Sequence, residues 1–149
     1  LALAAALCAL AACDKAEPTG PAVSATQMLF LSSPTAGSKW KVGDSLAVKW
    51  TVKEDPTGAG RSVDAVDIFL SPDGGQNWGT LTRSGSIKPT DAKQWGNYKW
   101  LVTDSVYIQD LNQKLPLKGA TNCRVKIQDY THNTDADLAD SSGLFSVTP

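Results

Sequence analysis

The chain has 149 residues, with 14 Lys and Arg against 15 Asp and Glu for a formal net charge of −1. That length allows one ordinary domain with a real core plus short appendages. The near-neutral balance leaves no basic face of the kind a nucleic-acid binder needs, and no run of Lys or Arg marks a membrane-surface patch.

The first twelve residues, LALAAALCALAA, are uncharged and almost all Ala and Leu. They are too short to span a bilayer, which takes roughly 20 apolar residues. They read as the h-region of a signal peptide over residues 1–12, lacking the usual Met and basic n-region and so truncated at the N-terminus. Residues 14–27, DKAEPTGPAVSATQ, are small, polar and Pro-containing, and read as a flexible tether. From Met28 to Pro149 the texture changes to short alternating runs separated by Gly, Pro, Asp and Asn.

The clearest run places Leu46, Val48, Trp50 and Val52 on one face and Ala47, Lys49, Thr51 and Lys53 on the other. A period of two predicts a half-buried strand. Val66, Ile68 and Leu70 repeat it, with Asp67 and Phe69 facing the other way. Tyr98, Trp100 and Val102 alternate with Lys99, Leu101 and Thr103; Cys123, Val125 and Ile127 alternate with Arg124, Lys126 and Gln128. Phe145 and Val147 close the chain. Met28–Leu31 and Trp78–Thr82 are weaker candidates, and Trp40 with Val42 predicts a short edge piece. Ser105–Leu117 admits a helical turn or an extra strand, and Pro116 limits a long helix. The sum is an all-β chain, an antiparallel sandwich of about seven strands with Trp50 filling the space between two sheets.

Two resemblances add to this. Leu10-Ala11-Ala12-Cys13 resembles the lipobox of bacterial lipoproteins, an aliphatic residue and two small ones before Cys. It implies that Cys13 is acylated and becomes the mature N-terminus, anchored in a lipid bilayer of the cell envelope on its periplasmic or surface face. Cys8 follows Leu7, which is not small. Asp14 resembles an inner-membrane retention signal, and the leaflet stays open. Cys8 then leaves with the leader, so Cys123 has no partner for a disulfide within the mature domain. The ordered segments SPTAGSKWKVGDSLAVKWTV, VDIFLSPDGGQNW, GNYKWLV, CRVKIQD and DLADSSGLFSV resemble bacterial Ig-like or fibronectin-III-like modules. They are also similar to the N-terminal Ig-like domain of yeast cell-wall Ser/Thr-rich GPI-anchored proteins. The match covers roughly Leu31 to Val147 and implies an Ig-like sandwich acting as a binding or spacer module.

Ser71–Trp78, SPDGGQNW, is one residue away from the Asp-box S-x-D-x-G-x-T-W of sialidase propellers. Each residue has a structural task. Pro72 presets a turn φ, Asp73 accepts backbone N–H groups, Gly74 and Gly75 permit positive φ, and Trp78 folds over the hairpin. A propeller needs several blades of about 40–50 residues, and this chain holds one copy. The box is expected to be a turn and the protein not to be an enzyme. His132 is the only His and no G-x-S-x-G elbow is present.

Asp135, Asp137 and Asp140, with Asn133, bring oxygen ligands close together, the donor set Ca²⁺ takes; no other cofactor is expected. The competing expectation is a solvated loop whose Asp and Asn residues make turns. Trp40, Trp78 and Trp95 are candidates for a sugar-stacking surface, with Trp95 placed in a Gln94-Trp95-Gly96 turn. Cys123 is expected to be a small buried hydrophobe. The functional expectation is an envelope lipoprotein acting as a binding, adhesion or structural module, its partner a glycan or an envelope protein. A carbohydrate-binding accessory is the alternative, and a hydrolase the more distant one.

Overall fold

A computed structural model describes residues 23–82 and 95–149, with the backbone alone at Trp95. The expected leader, Cys13 and most of the expected tether lie outside the described residues. Within them the chain is all-β, with two main antiparallel sheets in a sandwich-like fold.

Strands β1 (Leu29–Ser33), β3 (Ser45–Val52) and β6 (Trp95–Leu101) form one sheet in the order β1-β3-β6. Strands β4 (Val66–Ser71), β5 (Gly79–Thr80), β9 (Arg124–Asp129) and β10 (Ala139–Ser141) form the other, in the order β10-β9-β4-β5. These are the seven strands of the two main layers. Two smaller units complete the fold. β2 (Lys39–Lys41) runs parallel to β11 (Ser146–Thr148), with Trp40 opposite Val147. β7 (Ser105–Ile108) and β8 (Gln113–Pro116) form a hairpin.

The period-two pattern explains which faces meet. Leu46, Val48, Trp50 and Val52 of β3 are buried, as are Val66, Ile68 and Leu70 of β4 and Val125 and Ile127 of β9. Met28, Leu29, Trp100, Val102, Leu138, Phe145 and Val147 join the same cluster. At its centre Trp50 has no exposed surface. Its cross-strand partner is Gly96. A Cβ on Gly96 would stand 1.8 Å from Trp50 Cε2 and 2.1 Å from Nε1. The indole therefore lies over a residue that must have no side chain.

One alternative left open by the sequence is decided, and two features depart from expectation. Ser105–Leu117 holds no helix: Val106 and Ile108 point into the core, and the chain reverses at Asn112, whose φ is 50°. β-branched alternation and an Asn that tolerates the left-handed region decide for a hairpin. A 3₁₀ turn at Ala136–Leu138 and strand β10 were not expected. Leu138 is their only fully buried side chain, and backbone pairing with β9 carries the strand. Trp95 is not in a turn; it opens β6 opposite Thr51.

The segment expected to run free to Gln27 meets the domain before that point, where Arg61 Nη2 donates to Thr26 O at 3.1 Å. Gln27 N–H donates to Ser24 O at 3.1 Å, Met28 N–H donates to Asp137 O at 2.9 Å, and Gln27 Nε2 donates to Leu29 O at 2.7 Å. Gly96→Ala is expected to destabilise the domain by at least about 2 kcal/mol through overpacking. Urea melts of Gly96→Ala, Trp50→Phe and the double variant check this. The Ala penalty should shrink once the indole is gone, and additive penalties would show that the indole does not set it.

Candidate surface on the four-stranded sheet

The hairpin that carries the Asp-box motif is built by its own side chains. Ser71 Oγ donates to Asp73 Oδ1 at 2.7 Å and accepts from Gly75 N–H at 2.8 Å. Asp73 Oδ1 accepts the N–H groups of Gln76 at 3.1 Å and Asn77 at 2.9 Å, and Asn77 Nδ2 donates to Asp73 Oδ2 at 2.6 Å. Burial works to raise the Asp73 carboxyl, but the hydrogen bonds from Asn77, Ser71 and Gln76 overcome it and hold it below its ordinary value. Gly74 and Gly75 have φ of 79° and 103°. Gly74 N–H donates to Asn122 O at 2.8 Å, which fastens the turn to the chain entering β9. The Asp-box is thus fully spent on holding a turn.

What the turn holds is Trp78. A Cβ on Gly75 would meet Trp78 Cζ2 at 3.3 Å and Arg124 Cδ at 3.9 Å, so the indole and the Arg124 stem lie close against the bare glycine. Lys126 Nζ lies 5.0 Å from the Trp78 ring centre and 4.7 Å from that of Phe69. Phe69 is the direct cross-strand partner of Lys126. The result is an ammonium seated between two aromatic rings on the outward face of β4 and β9, with all three side chains half-buried. Burial pushes the Lys126 ammonium below its ordinary value.

On its other side Lys126 borders a groove of about 330 Å³, lined also by Ser24 and Gln27 from the docked tether, Asp137, and Ala139, Asp140 and Ser141 of β10. Asp140 Oδ2 accepts Leu31 N–H at 2.7 Å and its Oδ1 accepts Ser141 N–H at 2.8 Å. Burial raises the Asp140 carboxyl, and these hydrogen bonds only partly offset it.

The structure does not gather the three candidate tryptophans into one platform. Trp78 is on the outward face just described. Trp40 packs against the core from β2, with Nε1 donating to Ser38 Oγ at 3.2 Å. Trp95 opens a strand of the opposite sheet, and its side chain lies outside the described residues. Phe69, Arg124 and Lys126 were missed as surface candidates. The alternation placed Phe69 at an outward position of its strand, but its pairing with Lys126 depends on the β4–β9 register.

Of the proposed calcium set, Asp135 and Asp137 meet on one guanidinium and Asp140 is parted from them. Arg61 Nη1 donates to Asp135 Oδ2 at 3.2 Å and to Asp137 Oδ2 at 3.3 Å. Its Nη2 donates to Asp55 Oδ1 at 3.0 Å and Thr26 O at 3.1 Å. Asp135 Oδ1 caps the 3₁₀ turn by accepting Asp137 N–H at 2.9 Å, while Asp140 turns away to β1. The positive charge among these carboxylates is a guanidinium. Among the described residues no group of three or more His, Cys, Asp and Glu stands in metal-binding proximity.

His132 Nδ1 lies 3.0 Å from Asp129 Oδ2, and His132 N–H donates to the same oxygen at 2.6 Å. This closes the loop after β9, and the ring makes no other side-chain hydrogen bond among the described residues. Cys123 is fully buried, and burial pushes its thiol up to about 11. It matches the expected small hydrophobe.

The Arg61 cluster sets an acid limit. The Arg61 hydrogen bonds hold the Asp55 carboxyl well below its ordinary value, and hydrogen bonds from Thr26, Ser24 and Arg61 lower that of Asp137 against its burial. Depressed folded-state values mean stability that is complete above the unfolded carboxylate range, about 3.9, and lost as pH falls through the folded ones. Thermal melts from pH 7 to pH 2 are expected to fall steeply below about pH 4 as Asp55 and Asp137 are protonated. The raised Asp140 carboxyl works the other way above that point, adding stability as pH falls through its folded value. Asp55→Asn should melt lower at pH 7 and show a shallower acid limb; an unchanged limb would remove Asp55 from the account. Compared with known protein families, curated proteins and solved structures, the chain matches none significantly, so its functional reading rests on this geometry.

Proposed function

We propose that the protein is a lipid-anchored component of the bacterial cell envelope that acts as a non-catalytic binding module, using the outward face of the β10-β9-β4-β5 sheet. The observation that carries this reading is the half-buried stack of Phe69, Lys126 and Trp78 beside the 330 Å³ groove. Antiparallel sheets with one solvated face ordinarily place polar residues there. Two aromatic rings held by a dedicated hairpin, next to a largely apolar groove with a few polar groups, have the composition of a binding surface.

The anchor reading rests on Leu10-Ala11-Ala12-Cys13 behind the Ala/Leu leader. A diacylated or triacylated Cys13 would hold the domain at a membrane, since more than one chain gives stable anchoring. Recognition would then be by surface complementarity, with the anchor supplying location and local concentration.

Expression of the full chain behind a complete leader in a bacterial host tests both halves. Fatty-acid labelling should appear on the wild type and vanish in Cys13→Ser. The protein should sediment with delipidated envelope material, and Trp78→Ser with Phe69→Ser should abolish this. Leu101→Ser, a change at a residue 63% exposed on the other sheet, should leave it intact. Sedimentation untouched by the Trp78 and Phe69 changes would move the binding surface elsewhere.

A further inference from the structure

The outward face of β9 carries two cations, Arg124 and Lys126, at alternate positions on one strand. Side chains two apart on a strand project from the same face about 6.6 Å apart along it. Among the described residues no carboxylate lies within ion-pair distance of either. Arg124 Nε is buried with no hydrogen-bond partner. Lys126 Nζ lies over the faces of Phe69 and Trp78. A cation removed from water without a counter-charge is unfavourable unless something supplies one. Elsewhere this protein pairs a half-buried cation fully: Arg61 holds three carboxylates. The contrast makes the two open cations of β9 a feature of this face.

From this we infer that the face binds an acidic polysaccharide, with sugar rings lying on Trp78 and Phe69 and carboxylates reaching Lys126 and Arg124. The inference rests on the binding-module reading above and names its ligand class. Both halves of the ligand are required by the site. The rings offer flat apolar faces, which suit the C–H face of a pyranose. The cations call for anions in register with the rings. The adjoining groove adds polar groups from Gln27, Ser141 and Asp140 that suit hydroxyls. A phosphate headgroup would use the cations and leave both rings idle. A nucleic acid would meet a chain with net charge −1 and no broad basic field.

The test is isothermal titration of the full chain, in detergent, with an oligogalacturonate. Comparison ligands are a neutral galactose oligomer of equal length and vesicles of phosphatidylglycerol with phosphatidylcholine. The uronate should bind saturably and weaken steadily as salt rises. The neutral oligomer should bind at least about tenfold more weakly. Lys126→Gln and Arg124→Gln should each cost about tenfold in affinity with melting temperature unchanged, and Lys126→Arg should restore most of the loss. Should Lys126→Gln unfold the domain, Arg124→Gln and the salt dependence decide alone. Equal binding of the neutral oligomer, or vesicle binding as tight as uronate binding at equal anion concentration, overturns the acidic-glycan assignment. Loss of all uronate binding while envelope sedimentation persists overturns the assignment and leaves the module reading standing. Loss of both rejects both.

Discussion

The sandwich depends on one contact across β3 and β6: the Trp50 indole laid over Gly96. A tryptophan is the largest side chain available, and it fills the space between sheets only if the strand opposite gives way. Gly96 gives way by having no Cβ. Leu46, Val48 and Val52 can then close on Val66, Ile68 and Val125 at ordinary side-chain lengths. The Trp50 Nε1 proton has no hydrogen-bond partner among the described residues. An unmet donor in a core carries a cost of about 1–3 kcal/mol. That cost is accepted here for the volume the ring contributes.

The end of the sandwich where the tether docks is organised differently, by charge. Arg61 gathers Asp55, Asp135, Asp137 and the Thr26 carbonyl into one cluster. Three parts of the chain far apart in sequence meet on one guanidinium, whose planar fork can serve several acceptors at once. A loop rich in Asp next to an Arg on another loop is thus neutralised internally. The same acidic loop without Arg61 would have the appearance of a cation site. The opposite end uses a third device, an Asp73 that accepts hydrogen bonds from its own hairpin.

The strands that carry the core were legible because alternation is local. Leu46 to Val52 and Val66 to Leu70 state their inward face residue by residue. Partnership is not local, and so the parallel pairing of β2 with β11 could not be read. β10 was invisible for a related reason. Its residues Ala139, Asp140 and Ser141 have no apolar alternation, and the strand exists because β9 offers it backbone partners. For the candidate surface, Trp78 was visible through the Asp-box. Phe69, Lys126 and Arg124 were not, because their meaning comes from register: Phe69 faces Lys126 only when β4 pairs with β9 as it does. The calcium expectation counted carboxylates without the Arg that turned out to lie among them.

The Asp140 carboxylate that accepts Leu31 N–H sits on the open side of the sandwich, where the edges of β1 and β10 come near each other. An edge strand with free backbone groups is a template for a neighbouring chain. Here one such N–H is occupied by a side chain from the other sheet, and β10 is only three residues long. The flank is therefore shielded against strand exchange between copies. That shielding favours separate copies over a fused β-ribbon.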